Sequence, residues 1–399
     1  MKTTINYILK LQLLFFIFLF VSVSTFGQEE ETPKNMDFNV YGIFRAHLAT
    51  FGSEAEIQDA SPRVGFKFNY HFGDQNKYAV FFGGEFAINL IDNQFNFDAD
   101  PNTNNGGFAV LEFSDKKSTF STRLGFIGVN FAEYGTITLG KVNSVYKDVA
   151  GTTDIFNVMS GQASYVYSPS GADGGETGTG RAEGALIYRN SFWKFDVGLQ
   201  TQMRANGGDN FFDNYGASLR FHPTDHLTLG TAFNKALLGP RFLEIENLQG
   251  LEGDAIYFTA GIVYNKGPLL LSAIYTHQEN GDFINTVDPV EENIVSVVYP
   301  GKGYELVASY IFLHNKLKLL AGFNYKKPET DNALLPDSFR KRLYLIGAQY
   351  RFIKFASVYS EYKFEDSING LGLTPENVFL IGIRLDFNRT WSKNANLNF

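Results

Sequence analysis

Cysteine is missing from all 399 residues. That excludes a disulfide framework, a thiolate metal site and a lipid-bearing cysteine behind an export signal. Charge is sparse as well, with Asp, Glu, Lys and Arg making up 19% of the chain. Long apolar runs are missing except at the N-terminus. There Lys2 and Lys10 precede the run Leu11 to Val23, and Ser24-Thr25-Phe26-Gly27 follows. A positive start, a short apolar centre and a small-residue exit predict a secretory signal over residues 1–27, cut before Gln28. The run is too short for a membrane anchor. No Gly-x-Ser-x-Gly occurs and no nucleophile–base pair can be placed by spacing, so no catalysis is expected. The histidines His47, His71, His222, His226, His277 and His314 are scattered. His222 and His226 flank a turn with Pro223, which is not a helical metal pair, and neither metal nor cofactor is expected.

What is abundant is aromatic. Phe contributes 40 residues and Tyr 21, yet mean hydropathy is only −0.14. A chain rich in aromatics but not hydrophobic on average fits alternation better than membrane helices. Alternation is what the sequence shows. Arg63, Lys67 and Asn69 fall on one side of a strand, with Val64, Phe66, Phe68 and Tyr70 on the other. Glu85 and Asn89 oppose Phe82, Phe86, Ile88 and Leu90; Arg45 and His47 oppose Val40, Phe44, Ala46 and Leu48. The same two-residue period recurs to the segment ending at Phe387, where Phe379, Ile381, Ile383 and Leu385 oppose Arg384 and Asp386. Segments of roughly ten residues with a greasy face and a polar face are the pattern of a membrane barrel around a polar lumen.

About sixteen such strands are expected, an even number as a single-chain barrel needs. Short connections, such as Gly73–Asn76, Pro223–Asp225 and Ile353–Lys354, alternate with long ones at Ile91–Thr119, Asn143–Thr179, Ala236–Asp254 and Glu279–Gly303. The predicted fold is therefore all-β: an antiparallel transmembrane barrel with a periplasmic and an extracellular end. One domain is expected over residues 28–387, followed by a C-terminal tail over 388–399. Taking the signal's two lysines from the formal net charge of −8 leaves the mature chain near −10, which argues against nucleic acid as a partner. Asp98 to Asn104 carries oxygen ligands at alternate positions but lacks the glycine and closing glutamate of a calcium loop, and reads as a polar turn. Gly178-Thr179-Gly180 precedes no helix and is not a phosphate cradle.

The richest stretch runs from Ser121 to Asn190: two strands, a Gly-rich loop long enough to fold inward, and a third strand. Val40-Tyr41-Gly42, Arg63-Val64-Gly65-Phe66-Lys67, and Thr122-Arg123-Leu124-Gly125-Phe126-Ile127-Gly128 with Gly140 and Tyr146-Lys147-Asp148 stand in order before that loop. Gly180-Arg181 with Tyr188-Arg189-Asn190 follows it. In this order the motifs resemble the general trimeric porins of Gram-negative outer membranes. The resemblance implies a homotrimer of sixteen-stranded barrels whose third loop folds into each lumen as a constriction. It implies Arg63, Arg123 and Arg181 as a basic wall with Glu85 beside them, and Asp154 as a loop carboxylate opposite. Arg45 takes the part of the basic residue that Ile43 has displaced. The loop tip departs from the family: Asn157-Val158-Met159-Ser160-Gly161 puts Val158 where a second carboxylate belongs. The loop is also longer, with Asp173 and Glu176 in its return.

Three functions compete on these residues. The first is passive diffusion of small hydrophilic solutes and ions through an outer-membrane channel set in lipid. The second is a channel specific for an anionic substrate. The third is a structural or adhesive surface barrel. The arginine wall and the lost carboxylate predict a weak anion preference relative to family members that keep both loop carboxylates.

Overall fold

The computed structural model describes residues 35–91, 95–97, 111–113, 120–159, 161–167, 173–204, 210–238, 248–288, 293–329, 334–336 and 338–394. The expected signal at 1–27 and the Asp98–Asn104 turn lie outside the described residues. Alternation decides the architecture. A strand with one apolar and one polar face must put each face in its own solvent, and closure into a barrel lets every backbone group pair. Seventeen strands form one antiparallel sheet. In chain order they are β1 (Asn35–Phe51), β2 (Glu54–Asp59), β3 (Arg63–Phe72), β4 (Tyr78–Ile88), β5 (Phe120–Asn130), β6 (Thr136–Asn143), β7 (Arg181–Phe192), β8 (Phe195–Gln202) and β9 (Asn214–Thr224). Then come β10 (Leu227–Ala236), β11 (Ala255–Lys266), β12 (Leu269–Glu279), β13 (Gly301–Phe312), β14 (Leu317–Pro328), β15 (Lys341–Ile353), β16 (Ala356–Glu365) and β17 (Val378–Asn394).

β2 and β3 both pair with β1 and form one stave, interrupted where Ser61 takes φ 50° before Pro62, which has no N–H to give. The barrel therefore has sixteen staves, and it closes between β17 and β1, from Asn35↔Asn394 to Phe51↔Val378. Burial runs inside out relative to a soluble protein. Ile127, Leu199, Leu306, Ile346 and Ile383 are exposed on the outer face, while Gln200, Asn234, Thr259, Glu305 and Asn324 are buried on the inner one. This is the distribution of a barrel whose outer solvent is hydrocarbon. Among the described residues no helix is long and apolar enough to cross a membrane.

Among the boundaries that differ from the sequence reading, three have a local cause. The chain between β5 and β6 makes a 3-10 turn at Ala132–Tyr134, capped by Asn130 Oδ1 on the Ala132 N–H at 2.9 Å, so β6 starts three residues later than Glu133. Pro223 belongs to β9, at a register shift against β10 where its missing N–H is tolerated, and only Asp225 and His226 turn. The largest difference is at the end. Residues 388–394, expected as tail, are wall: they pair with Asn35–Tyr41, and Trp391 stacks on Phe38 at 6.0 Å. The strand outlasts Phe387 because β1 starts early enough to pair it.

Candidate pore constriction

The wall of the narrow zone follows from register. Tyr41 and Arg45 point inward from β1, Arg63 from β3, Glu85 from β4 and Arg123 from β5. Glu85 Oε1 accepts from Arg123 Nε at 2.8 Å, and its Oε2 accepts from Tyr41 Oη at 2.9 Å and lies 3.7 Å from Arg63 Nε. Barrel closure sets Arg384 of β17 directly opposite Arg45. Arg384 Nε lies 2.9 Å from Asp386, and its Nη1 donates to Asn157 Oδ1 at 2.9 Å. Arg45 Nη1 donates to the Asn157 carbonyl at 2.5 Å and is 8% exposed.

Facing this wall is the connection between β6 and β7. It turns inward through the short helix α1 (Lys147–Ala150) and a 3-10 turn at Gly151–Thr153, then crosses the lumen. Wall glycines let it lie close: a Cβ on Gly230 would stand 3.1 Å from Val149, and one on Gly322 would stand 3.0 Å from Phe156. Buried wall side chains then take up the loop's backbone groups, as a buried chain requires. Glu361 of β16 accepts the N–H groups of Asn157, Val158 and Met159 at 2.5, 3.0 and 3.1 Å. Glu305 of β13 accepts the Ala163 N–H at 2.5 Å and the Thr153 hydroxyl. Asn214 and Asn234 both donate to the Thr177 carbonyl, at 2.9 and 2.8 Å, and Gln202 donates to Gly175 O at 2.7 Å.

The six residues singled out from sequence fall into separate groups. Arg63, Glu85 and Arg123 touch one another. Arg45 joins Arg384 at the loop tip rather than that trio. Arg181 faces Asp173 at 3.4 Å and lies over the Tyr167 ring at 5.8 Å. Asp154 is exposed on the loop. Val158, where a second carboxylate was expected, is buried with Phe156 and Met159 against Leu343 and Leu345. The carboxylate at this end of the loop belongs to the wall, as Glu361.

Sequence reasoning did not assign Tyr41, Lys141, Lys147 or Arg384 to the site. Arg384 was visible as an inward residue, but its place beside Arg45 needs the closure register. Lys147 lies in the loop, over the Tyr167 ring at 5.4 Å. Burial, opposed by Asp154 and joined by Arg181, Arg123 and Arg63, lowers its ammonium to about 8. The arrangement is a set of fixed charges beside a loop that crosses the lumen. It can narrow a water-filled passage and impose a field across it.

Known proteins similar to this chain are found by sequence and by shape. The profile of the family described as Gram-negative porin matches residues 104–387. Outer membrane protein F of Serratia marcescens is 27% identical over 289 residues, which cover 67% of this chain and 74% of that protein. The structure of Salmonella typhi OmpF in complex with daunomycin superposes with a TM-score of 0.62 at 19% identity, over 88% of this chain and 97% of the other. The trimer form of OmpT, an outer membrane protein of Vibrio cholerae, gives a TM-score of 0.57 at 17% identity, over 89% of this chain and all of the other.

Proposed function

The chain belongs to the Gram-negative porin family, and on that premise we propose that the loop crossing its lumen and the arginine wall form the selectivity zone of its channel. The protein is an outer-membrane porin, a water-filled barrel for passive diffusion of small hydrophilic solutes and ions. The zone consists of Arg45, Arg63, Glu85, Arg123, Asp154 and Arg181, joined by Arg384 and Lys147. The observation that carries this reading is the fixed loop. Its tip is held by Glu361 and Glu305 and, at Asn157, by Arg45 and Arg384, which leaves the wall at Arg63, Glu85 and Arg123 as the route. Among the described residues Arg384, Arg45, Arg63 and Arg123 have two carboxylates in direct contact, Glu85 and Asp386, so the sign favours anions.

The working unit is a homotrimer set in lipid, supported by the trimer form of the Vibrio cholerae neighbour and by the apolar outer face. Solutes move down their gradients and undergo no reaction. Purified full-length protein in a planar bilayer under a salt gradient tests this. Conductance steps in threes with a reversal potential on the anion side are expected. Cation preference would transfer control to Asp154, Glu85 and the loop acids, and absence of current from folded protein would overturn the channel. The arginine row also favours a second reading, an anion-specific channel, which predicts conductance that saturates with its substrate.

A further inference from the structure

We propose that Asp173, on the return of the infolded loop, is a selectivity residue: it cancels Arg181 and Lys141 and so confines the positive field to the other half of the wall. The proposal rests on the pore reading above and adds to it a residue that acts through Arg181 and Lys141. Asp173 Oδ2 lies 2.7 Å from Lys141 Nζ and 3.4 Å from Arg181 Nε. Glu183 takes the same ammonium at 2.7 Å. Two cations thus meet two carboxylates on β6, β7 and the loop, whereas among the described residues the four arginines on β17, β1, β3 and β5 have two carboxylates in contact, Glu85 and Asp386. Arg181 is 7% exposed, between the Asp173 carboxylate and the Tyr167 ring. In number it belongs to the arginine wall, but in field it does not.

The placement of Asp173 is built into the backbone. Its carbonyl accepts the Arg181 N–H at 2.7 Å and its Oδ1 accepts the Gly175 N–H at 3.1 Å, which aims Oδ2 at the cations. Gly174 has φ +61°, and a Cβ there would stand 2.1 Å from Val166 O, so the return holds one shape. Wall amides on Gly175 and Thr177 hold it against β8, β9 and β10. A carboxylate this rigid competes with solvent for its partners at low entropic cost, and water screening is weaker for half-buried groups than for exposed ones.

Asp173→Asn keeps the shape and the acceptor for Gly175 while removing the charge. In full-length protein under a KCl gradient, the expected result is a reversal potential moved toward chloride. A unit charge roughly 8 Å from the ion path corresponds to a change of roughly two-fold in the permeability ratio. Asp173→Glu should restore the wild-type ratio, which a merely structural role would not do. Arg181→Gln should move the ratio the opposite way, and it carries the test if Asp173→Asn does not assemble. An unchanged reversal potential in Asp173→Asn, or in Arg181→Gln where that stands in, overturns the proposal while leaving a conducting wild type as a porin. A wild type without current would remove both.

Discussion

Lys147 lies where the cations of the wall act on one another. Its ammonium is lowered to about 8, first by burial, with Asp154 opposing and Arg181, Arg123 and Arg63 adding to the fall. Below that pH the loop presents one more positive charge to the passage, and above it the charge is lost. The chloride-to-potassium permeability ratio should therefore fall as pH is raised from about 6 to about 9, with its midpoint near the lowered value. Lys147→Arg keeps its charge throughout and should give a flat profile. A flat wild-type profile would refute the assignment. Glu85 gives the complementary case. It is 8% exposed and answers both Arg63 and Arg123, so Glu85→Gln leaves two guanidinium groups facing each other. A stronger anion preference together with a lower melting temperature is expected, read by reversal potential and by thermal denaturation in detergent.

At the scale of elements, the strands were legible and the loop's attachment was not. Apart from β2 and the C-terminal end of β17, alternation placed the barrel strands to within a few residues, because a two-residue period is a local property: the residues of one strand name both of its solvents. The inward direction of Arg45, Arg63, Glu85 and Arg123 came with it. The tip of the infolded loop read only as a lost carboxylate at Val158. That Glu361, on the last-but-one strand, supplies one from the opposite wall depends on contacts between residues far apart in the chain, which no local pattern encodes. The attachment can be tested. Glu361→Ala leaves three buried N–H groups without their acceptor, at about 1–3 kcal/mol each. The loop should give way before the barrel, because each stave keeps its own ladder. Unit conductance should rise and become noisy while the barrel's heat resistance on gels persists; an unchanged conductance would remove Glu361 as the loop's anchor. The C-terminal segment argues the same way. Sequence ended the wall at Phe387 because the apolar outer face ends there, giving way to Arg389, yet seven further pairs, Tyr41↔Asn388 to Asn35↔Asn394, continue it. Deleting 388–399 strips the start of β1 of a partner. A melting temperature lower by several degrees is expected, and an unaltered one would show that those pairs contribute little.

For the whole molecule the question is which charge a solute feels. Without the expected signal the chain is near −10, whereas the wall at Arg63, Glu85 and Arg123 is basic. The two signs pull opposite ways, and distance decides between them. At 0.1 M salt a charge acts over about 10 Å; at 1 M it acts over about 3 Å. On the proposed reading the guanidinium groups of Arg63 and Arg123, paired with Glu85, border the passage, and an acid farther from it than the screening length does not act. Screening should therefore weaken the wall only in part and silence the outer acids altogether. The permeability ratio measured at 0.1 M should favour anions, and at 1 M it should drop toward, without reaching, the free-solution ratio. A ratio equal to that of free solution at both concentrations would mean that the passage sorts by size alone. A ratio that favours cations at 0.1 M and anions at 1 M would mean that the acidic loops, and not the arginines, govern entry at physiological salt. The geometry favours the first outcome, because the loop fixed at Glu361 and Glu305 leaves Arg63 and Arg123, with Glu85 between them, on the proposed route.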